Sequence, residues 1–179
     1  MISTLISTNT ADSDSALAIT SGIDGTYDEY MFVMTDIHPE TDNNIWQFQA
    51  STDGGSSYGV TVTSTAFQSQ HSEDDSAASL GYMAGDDLAQ AAGYQYLAAA
   101  GLGNGADESL AGVFHIFNPA STTFVKHWYC RTNMYYVSNY TKDSYFAGYF
   151  NTTSAINAFN FGMGAGGDFS GVIQLYGIS

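Results

Sequence analysis

Short runs of alternating apolar and polar residues, separated by turn-forming residues, recur along most of this sequence. In "IWQFQA" at 45–50, Trp46 and Phe48 share one side of an extended chain, whereas Gln47 and Gln49 share the other. Similar runs occupy 30–37, 59–67 and much of the chain after residue 109. Strands that recur about every eight to twelve residues are typical of a β-sandwich or barrel. The pattern therefore predicts an all-β fold.

The size and composition of the chain support one compact unit. It has 179 residues, of which 44% are hydrophobic and 15% aromatic, enough to build a core. We predict a single antiparallel β-sandwich domain over residues 1–179, with about eight to ten strands and a jelly-roll-like topology.

The segment around residues 71–108 differs, because it is rich in Ala and acidic residues and poor in β-branched ones. Leu88, Ala91, Ala92 and Gln95 have partial helical spacing, and Gly93 limits any helix to about two or three turns. We therefore predict one long, helix-containing excursion here.

A turn is predicted earlier in the chain, at Asp53-Gly54-Gly55. It predicts a hairpin that pairs 45–50 with 59–67.

Charge restricts the partners of this chain. It has 18 acidic residues against three basic ones, a net charge of −15. Such a chain repels phosphate backbones and anionic lipids, so we expect neither a nucleic-acid nor a membrane partner. The sequence contains no apolar run near the ~18 residues of a membrane span. Its N terminus lacks the pattern of a signal peptide, so we expect synthesis in the cytoplasm.

No catalytic motif is visible. The sequence lacks a nucleophile elbow, a phosphate-binding loop and a zinc-binding His-Glu-x-x-His motif, and its four histidines are dispersed. Cys130, the single cysteine, fits a small apolar side chain on a strand. We therefore predict a protein that is not an enzyme, with no catalytic residues and no required cofactor. Calcium is the one candidate ligand, through Asn104, Asp107 and Glu108, although a solvated acidic loop explains these residues better.

All three basic residues fall within the aromatic stretch "FNPASTTFVKHWYCRTNMYYVSNYTK" at 117–142. Strand alternation places Tyr129 opposite Trp128, so some of these tyrosines face outward. Cations beside exposed tyrosines would suit contact with another acidic protein surface. Three scattered solubilising charges are the simpler alternative. The predicted interface residues are Lys126, His127, Tyr129, Arg131, Tyr135, Tyr136, Tyr140 and Lys142.

Seven segments carry a resemblance to a known group of proteins. They are "TSGIDGTYDEYMF" (20–32), "IHPETDN" (37–43), "FQASTDGGSSY" (48–58), "DDLAQ" (86–90), "FNPASTTFVKH" (117–127), "AGYFNTTSAI" (147–156) and "SGVIQLYGI" (170–178). In these segments the chain resembles small β-rich virion structural proteins of marine tailed bacteriophages. The resemblance implies a non-enzymatic protein exposed on the virion.

Two functions are consistent with that resemblance. The first is a capsid decoration or cement protein, or a head-fibre subunit, that adheres to other proteins. Its partners would be copies of itself, with a homotrimer expected, and the major capsid protein or fibre and tail proteins. The second is a receptor-binding tip of a tail fibre that binds glycans through its tyrosines and through Trp46 or Trp128, with calcium as an optional ligand. A glycan hydrolase is a distant third.

Overall fold

The structure, a computed structural model, describes residues 2–98 and 101–179. Thirteen β-strands and one short 3-10 turn make up its regular structure. The strands are β1 (Ser3–Asp14), β2 (Ala16–Ile19), β3 (Glu29–Pro39), β4 (Trp46–Ser51), β5 (Val62–Ser72), β6 (Ala78–Tyr82), β7 (Ala89–Ala91), β8 (Gln95–Tyr96), β9 (Leu110–Phe117), β10 (Lys126–Tyr136), β11 (Tyr140–Phe150), β12 (Ala158–Met163) and β13 (Phe169–Ile178).

The strands form two antiparallel sheets packed as a sandwich. The large sheet has nine strands in the order β1-β13-β3-β9-β10-β11-β5-β6, with β7 also pairing with β5. The small sheet has four strands in the order β2-β12-β4-β8. The predicted all-β antiparallel sandwich is confirmed, whereas its jelly-roll topology and its division into a single domain stay predictions. In the described residues, no helix is both long and apolar enough to span a membrane.

The core between the two sheets is largely aromatic. Phe48 of the small sheet lies 5.1 Å from Phe114 and 5.5 Å from Trp128 of the large sheet, measured between ring centroids. Phe32 and Phe159 make a similar contact at 4.9 Å. Each of these side chains is at most 2% exposed. Because burying one Phe side chain stabilises a fold by about 1.5–3 kcal/mol, these rings hold the sheets together.

The predicted helix within 71–108 is wrong. The described part of this segment forms strands, with β6 and β7 on one edge of the large sheet and β8 in the small one. Strand β6 pairs with β5 from Phe67↔Tyr82 to His71↔Ala78. These pairs provide hydrogen-bond partners for backbone N–H and C=O groups on this edge of β5, which a helix in the same place would leave unpaired. Ala99 and Ala100 lie outside the described residues.

The predicted hairpin at Asp53-Gly54-Gly55 is also wrong, although a tight turn does form there. Gly54 and Gly55 have φ of +73° and +88°, and the Asp53 carboxylate accepts a hydrogen bond from the backbone N–H of Ser57 at 2.9 Å. Hydrogen bonds from Ser51 and Ser57 lower the pKa of Asp53 to about 2. The turn carries the chain from the small sheet to the large one, so β4 and β5 are not neighbours.

Candidate protein-binding face of the large sheet

Strand β10 alternates strictly between core and solvent for most of its length. Trp128 and Cys130 are buried, whereas His127, Tyr129 and Arg131 are exposed. The predicted outward position of Tyr129 and inward position of Trp128 are therefore confirmed. Cys130 fits its predicted role as a small core side chain, and burial raises the pKa of its thiol.

The side of the large sheet that points away from the small sheet forms a broad surface, here called the outer face. Strand register sets its residues: Tyr129 lies beside His115 of β9 and Ala147 of β11, and Arg131 lies beside Val113 and Tyr145. The outer face comprises Glu29, Met31, Val33, Ala111, Val113, His115, Phe117, His127, Tyr129, Arg131, Asn133, Tyr135, Thr141, Asp143, Tyr145, Ala147, Tyr149, Thr63, Thr65, Phe67, Ser69 and His71.

Aromatic rings on neighbouring strands of the outer face pack against one another. Phe67 stacks on Tyr145 with centroids 4.7 Å apart and an interplanar angle of 5°. His115 stacks on Tyr129, also at 4.7 Å, and Phe117 lies 5.8 Å from the same tyrosine. Phe67, Phe117 and Tyr129 nevertheless remain 36–43% exposed. The outer face therefore presents pre-packed rings to solvent.

The two acidic groups of the outer face have partners. Nε and Nη2 of Arg131 donate to the two carboxylate oxygens of Asp143 at 3.0 and 2.9 Å. These bonds lower the pKa of Asp143 and raise that of Arg131. The Glu29 carboxylate lies 2.6 Å from Nδ1 of His115. The outer face therefore shows few unpaired charges in a strongly acidic chain.

The acidic and basic residues are also unevenly distributed along the whole chain. Residues 109–167 contain one acid, Asp143, together with all three basic residues, while the other 17 acids lie elsewhere in the sequence. This segment supplies β9, β10 and β11, the central strands of the outer face. The acidic surface therefore belongs mainly to the rest of the molecule.

A shallow apolar groove crosses the outer face where β9 ends and β10 begins. Phe117, His127, Tyr129 and Tyr149 line its aromatic part. Its volume is about 470 Å³, and Thr63, Thr65 and Ala147 contribute smaller side chains. Such a mixture of rings and small side chains can receive a protruding apolar group.

The predicted basic surface strip is wrong for two of its three members. Lys126 is fully buried, because alternation places it on the same side of β10 as Trp128. Lys142 is 7% exposed, and its Nζ lies 3.4 Å from the centroid of the Tyr136 ring. Burial lowers the pKa of both lysines. Among the three bases, Arg131 alone is exposed.

The predicted interface tyrosines also divide between two settings. Tyr129 and Tyr135 belong to the outer face. Tyr136 and Tyr140 face each other at the β10–β11 turn, with ring centroids 6.0 Å apart, and Tyr136 packs against the core. The sequence prediction omitted Phe67, His115, Phe117, Tyr145 and Tyr149 from the interface. Tyr145 and Tyr149 follow the same alternation along β11, but strand pairing was needed to place Phe67 and Phe117 beside them.

The predicted glycan contacts through Trp46 and Trp128 are wrong. Both side chains are core residues, at 0% and 2% exposure. Trp46 Nε1 donates to the sulfur of Met34 at 3.3 Å, and the Trp128 ring packs against Phe114. Neither ring offers a face to a ligand in solution.

The predicted calcium candidates serve loop structure. The carboxylate of Glu108 accepts a hydrogen bond from the backbone N–H of Gly105 at 2.6 Å, and the Asn104 side chain donates to the Glu40 carbonyl at 2.9 Å. Within residues 2–98 and 101–179, no cluster of three or more His, Cys, Asp or Glu side chains is arranged to hold a metal. The loop geometry therefore gives the calcium proposal no support.

Comparison with protein-family models, curated proteins and solved structures finds no match to this chain. The outer face is therefore interpreted from its own chemistry.

Proposed function

We propose that this protein is a non-enzymatic structural protein of a bacteriophage particle, a capsid decoration or cement protein or a head-fibre subunit. It would act by adhesion through the outer face. The resemblance to phage virion proteins supplies the setting. The observation that carries the proposal is the outer face itself, which presents packed aromatic rings and paired charges on a chain of net charge −15.

The chemistry of this face suits a protein partner. Exposed Tyr and Phe rings supply large contact areas at small entropy cost, and such residues dominate the energetics of protein interfaces. Arg131 and Asp143 neutralise each other, so a partner does not have to meet an unpaired charge there. A partner that is itself acidic can therefore approach this face with less repulsion than the acid-rich parts of the molecule would cause.

The size of the face is also adequate. Its five central strands, β3, β9, β10, β11 and β5, lie side by side. With strands about 4.8 Å apart and about 30 Å long, they present roughly 700 Å². A standard protein interface buries about 800 Å² per partner. The outer face can therefore supply most of one stable interface.

The proposed partners are other copies of this chain and the major capsid, fibre or tail proteins of the virion. Closed point-group symmetry is the common outcome when identical chains associate, and the proposed homotrimer is one such arrangement.

Copy number per virion, measured by quantitative mass spectrometry of purified particles, tests this proposal. Hundreds of copies would support a decoration or cement protein, and a few tens would support a fibre subunit. Absence from the particles would overturn the virion proposal. Phe117→Ser and Tyr129→Ser should reduce incorporation. Tyr94→Ser is the control, because Tyr94 is 40% exposed but lies beside the small sheet, away from the outer face.

A glycan-binding tip remains the second candidate, supported by the open groove with Tyr129, Tyr149 and His127 at its walls. Tyrosine and histidine rings can stack on sugars, and this role no longer involves Trp46 or Trp128. Binding to host cells that is lost in Tyr149→Ala would support this function. A chelator tests its calcium dependence in the same assay.

A further inference from the structure

The loop at 118–125, between β9 and β10, exposes a large apolar side chain. Phe124 is 71% exposed, almost as much as any large hydrophobic residue in the described parts of the chain. Exposure of a single apolar residue is common, and by itself indicates nothing. The surroundings of this phenylalanine are what distinguish it.

Local hydrogen bonds hold the loop that carries Phe124. The Ser121 hydroxyl accepts from the backbone N–H groups of Thr123 at 3.3 Å and Phe124 at 3.1 Å. The backbone N–H of Ile156, in the neighbouring loop, donates to the Pro119 carbonyl at 2.9 Å. The chain around Phe124 is therefore fixed at both of its ends.

Lys126 strengthens this arrangement from inside. Its buried ammonium donates to the carbonyl of Ser121 and to that of Phe124 itself, both at 3.3 Å. It also reaches the carbonyls of Thr152 at 2.9 Å and Ser154 at 2.5 Å, which ties two loops together. A rigid backbone that displays a phenylalanine ring loses little entropy when the ring is bound.

The apolar groove lies next to this loop. Phe117 precedes the loop and His127 follows it closely, and both residues line the groove. The groove is open to solvent and has a volume of about 470 Å³. A benzene ring fits in a space of roughly 150 Å³, so the groove has room for a phenylalanine side chain. Within one copy, Phe124 stays in solvent and does not fill it.

We propose that Phe124 of one copy inserts into the groove of a second copy of this chain. The inference rests on the proposed function, since it names one partner of the outer face. Two copies of net charge −15 repel each other, and contact is least costly where acids are absent. No acid occurs between Glu108 and Asp143, the stretch that contains Phe124 and three of the groove's aromatic residues.

The contact joins the exposed Phe124 side chain of one copy, here called the knob, to the groove of the next copy. Because each copy carries both features, every copy can give one Phe124 and receive another. Such a contact closes a two-fold pair when the exchange is reciprocal, and a ring when it runs from copy to copy. Both outcomes leave no exposed Phe124.

Sedimentation velocity over a range of concentrations tests this contact. The wild-type chain should associate, and Phe124→Ser should raise the dissociation constant at least about 10-fold, as expected for a central apolar residue of an interface. Ala147→Trp, which fills the groove, should do the same. Ile2→Ser is the matched control: Ile2 is 70% exposed and lies just before β1, at the edge of the large sheet away from the groove, so its removal alters surface hydrophobicity similarly and should leave association unchanged.

Two results would overturn the inference: a wild-type chain that stays monomeric at about 100 µM, or a Phe124→Ser variant that associates like wild type. The Phe124→Ser comparison remains decisive even if Ala147→Trp fails to fold, because Phe124 makes little contact with the core. A monomeric chain that is still incorporated into virions would refute the knob-and-groove contact and leave the proposed function intact.

Cross-linking between two variants that each carry one added cysteine locates the contact. Thr123→Cys marks the loop and Thr65→Cys marks the groove, and Cys130 is buried with a raised thiol pKa, which keeps it unreactive. A mixture of the two variants should form a dimer with a short bismaleimide. Addition of Phe124→Ser to the Thr123→Cys chain should abolish that product, and a persistent product would contradict the proposed role of Phe124.

Discussion

The two sides of strand β10 use similar residues for opposite purposes. On the inner side, the Lys126 ammonium donates to backbone carbonyls and the Trp128 ring packs against core rings. On the outer side, Arg131 and Tyr129 keep much of their surface in solvent. Residue type therefore does not identify a binding surface in this protein. Position in the alternation of the strand does.

The largest contrast should come from the aromatic residues. Trp128→Ala should lower the free energy of unfolding by about 3–5 kcal/mol, because it leaves a cavity between Phe48 and Phe114. Tyr129→Ala should cost about 1 kcal/mol, the value of a lost surface aromatic pair. Urea unfolding measures both losses when it is monitored by backbone circular dichroism, a signal that does not rely on tryptophan fluorescence. Equal losses would show that the outer rings are as important to folding as the inner ones.

A smaller contrast should separate the two bases. Lys126→Met should lower the free energy of unfolding by about 2–4 kcal/mol, because the buried carbonyls that its ammonium serves lose their donor. Arg131→Met should change the free energy of unfolding far less, since the guanidinium is exposed and water can take its place beside the Asp143 carboxylate. Thermal unfolding of the two variants side by side makes the comparison. Similar melting temperatures would contradict the assignment of Lys126 as a core residue.

The smallest effect concerns the Arg131–Asp143 pair and is pH-dependent. Hydrogen bonds from Arg131 lower the pKa of Asp143 in the folded protein. The pair therefore stabilises the fold fully above the unfolded pKa of about 3.9, and that stabilisation is lost as pH falls through the lower folded value. A double-mutant cycle with Arg131→Met and Asp143→Asn should show coupling at neutral pH that high salt weakens. Coupling that survives protonation of Asp143 would refute this account.

Much of the fold follows from local pattern. The alternation in β10 predicted the inward Trp128 and the outward Tyr129, and the turn residues at Asp53-Gly54-Gly55 predicted a turn. The partner of each strand did not follow. A glycine turn serves a hairpin and a crossing between sheets equally well, and the choice depends on which strands share the core.

The candidate site was predicted in part for the same reason. The aromatic stretch at 117–142 contains Tyr129 and Arg131 of the outer face, but equal weight was given to Lys126 and Lys142. A lysine is seldom buried, so its charge favoured the wrong side of the strand. Only the structure shows the carbonyl oxygens that make burial of Lys126 acceptable. Phe67 joins Tyr145 through strand register, which sequence spacing does not contain.

The carbonyl setting of Lys126 has a consequence for the whole loop end of the sandwich. Backbone oxygens that converge on one positive charge resemble the ligand sphere of a bound calcium or potassium ion, but here the cation is covalently part of the chain. The charge cannot be removed by a chelator or diluted away. The loops that display Phe124 therefore keep their shape without any bound metal ion from the surrounding solution.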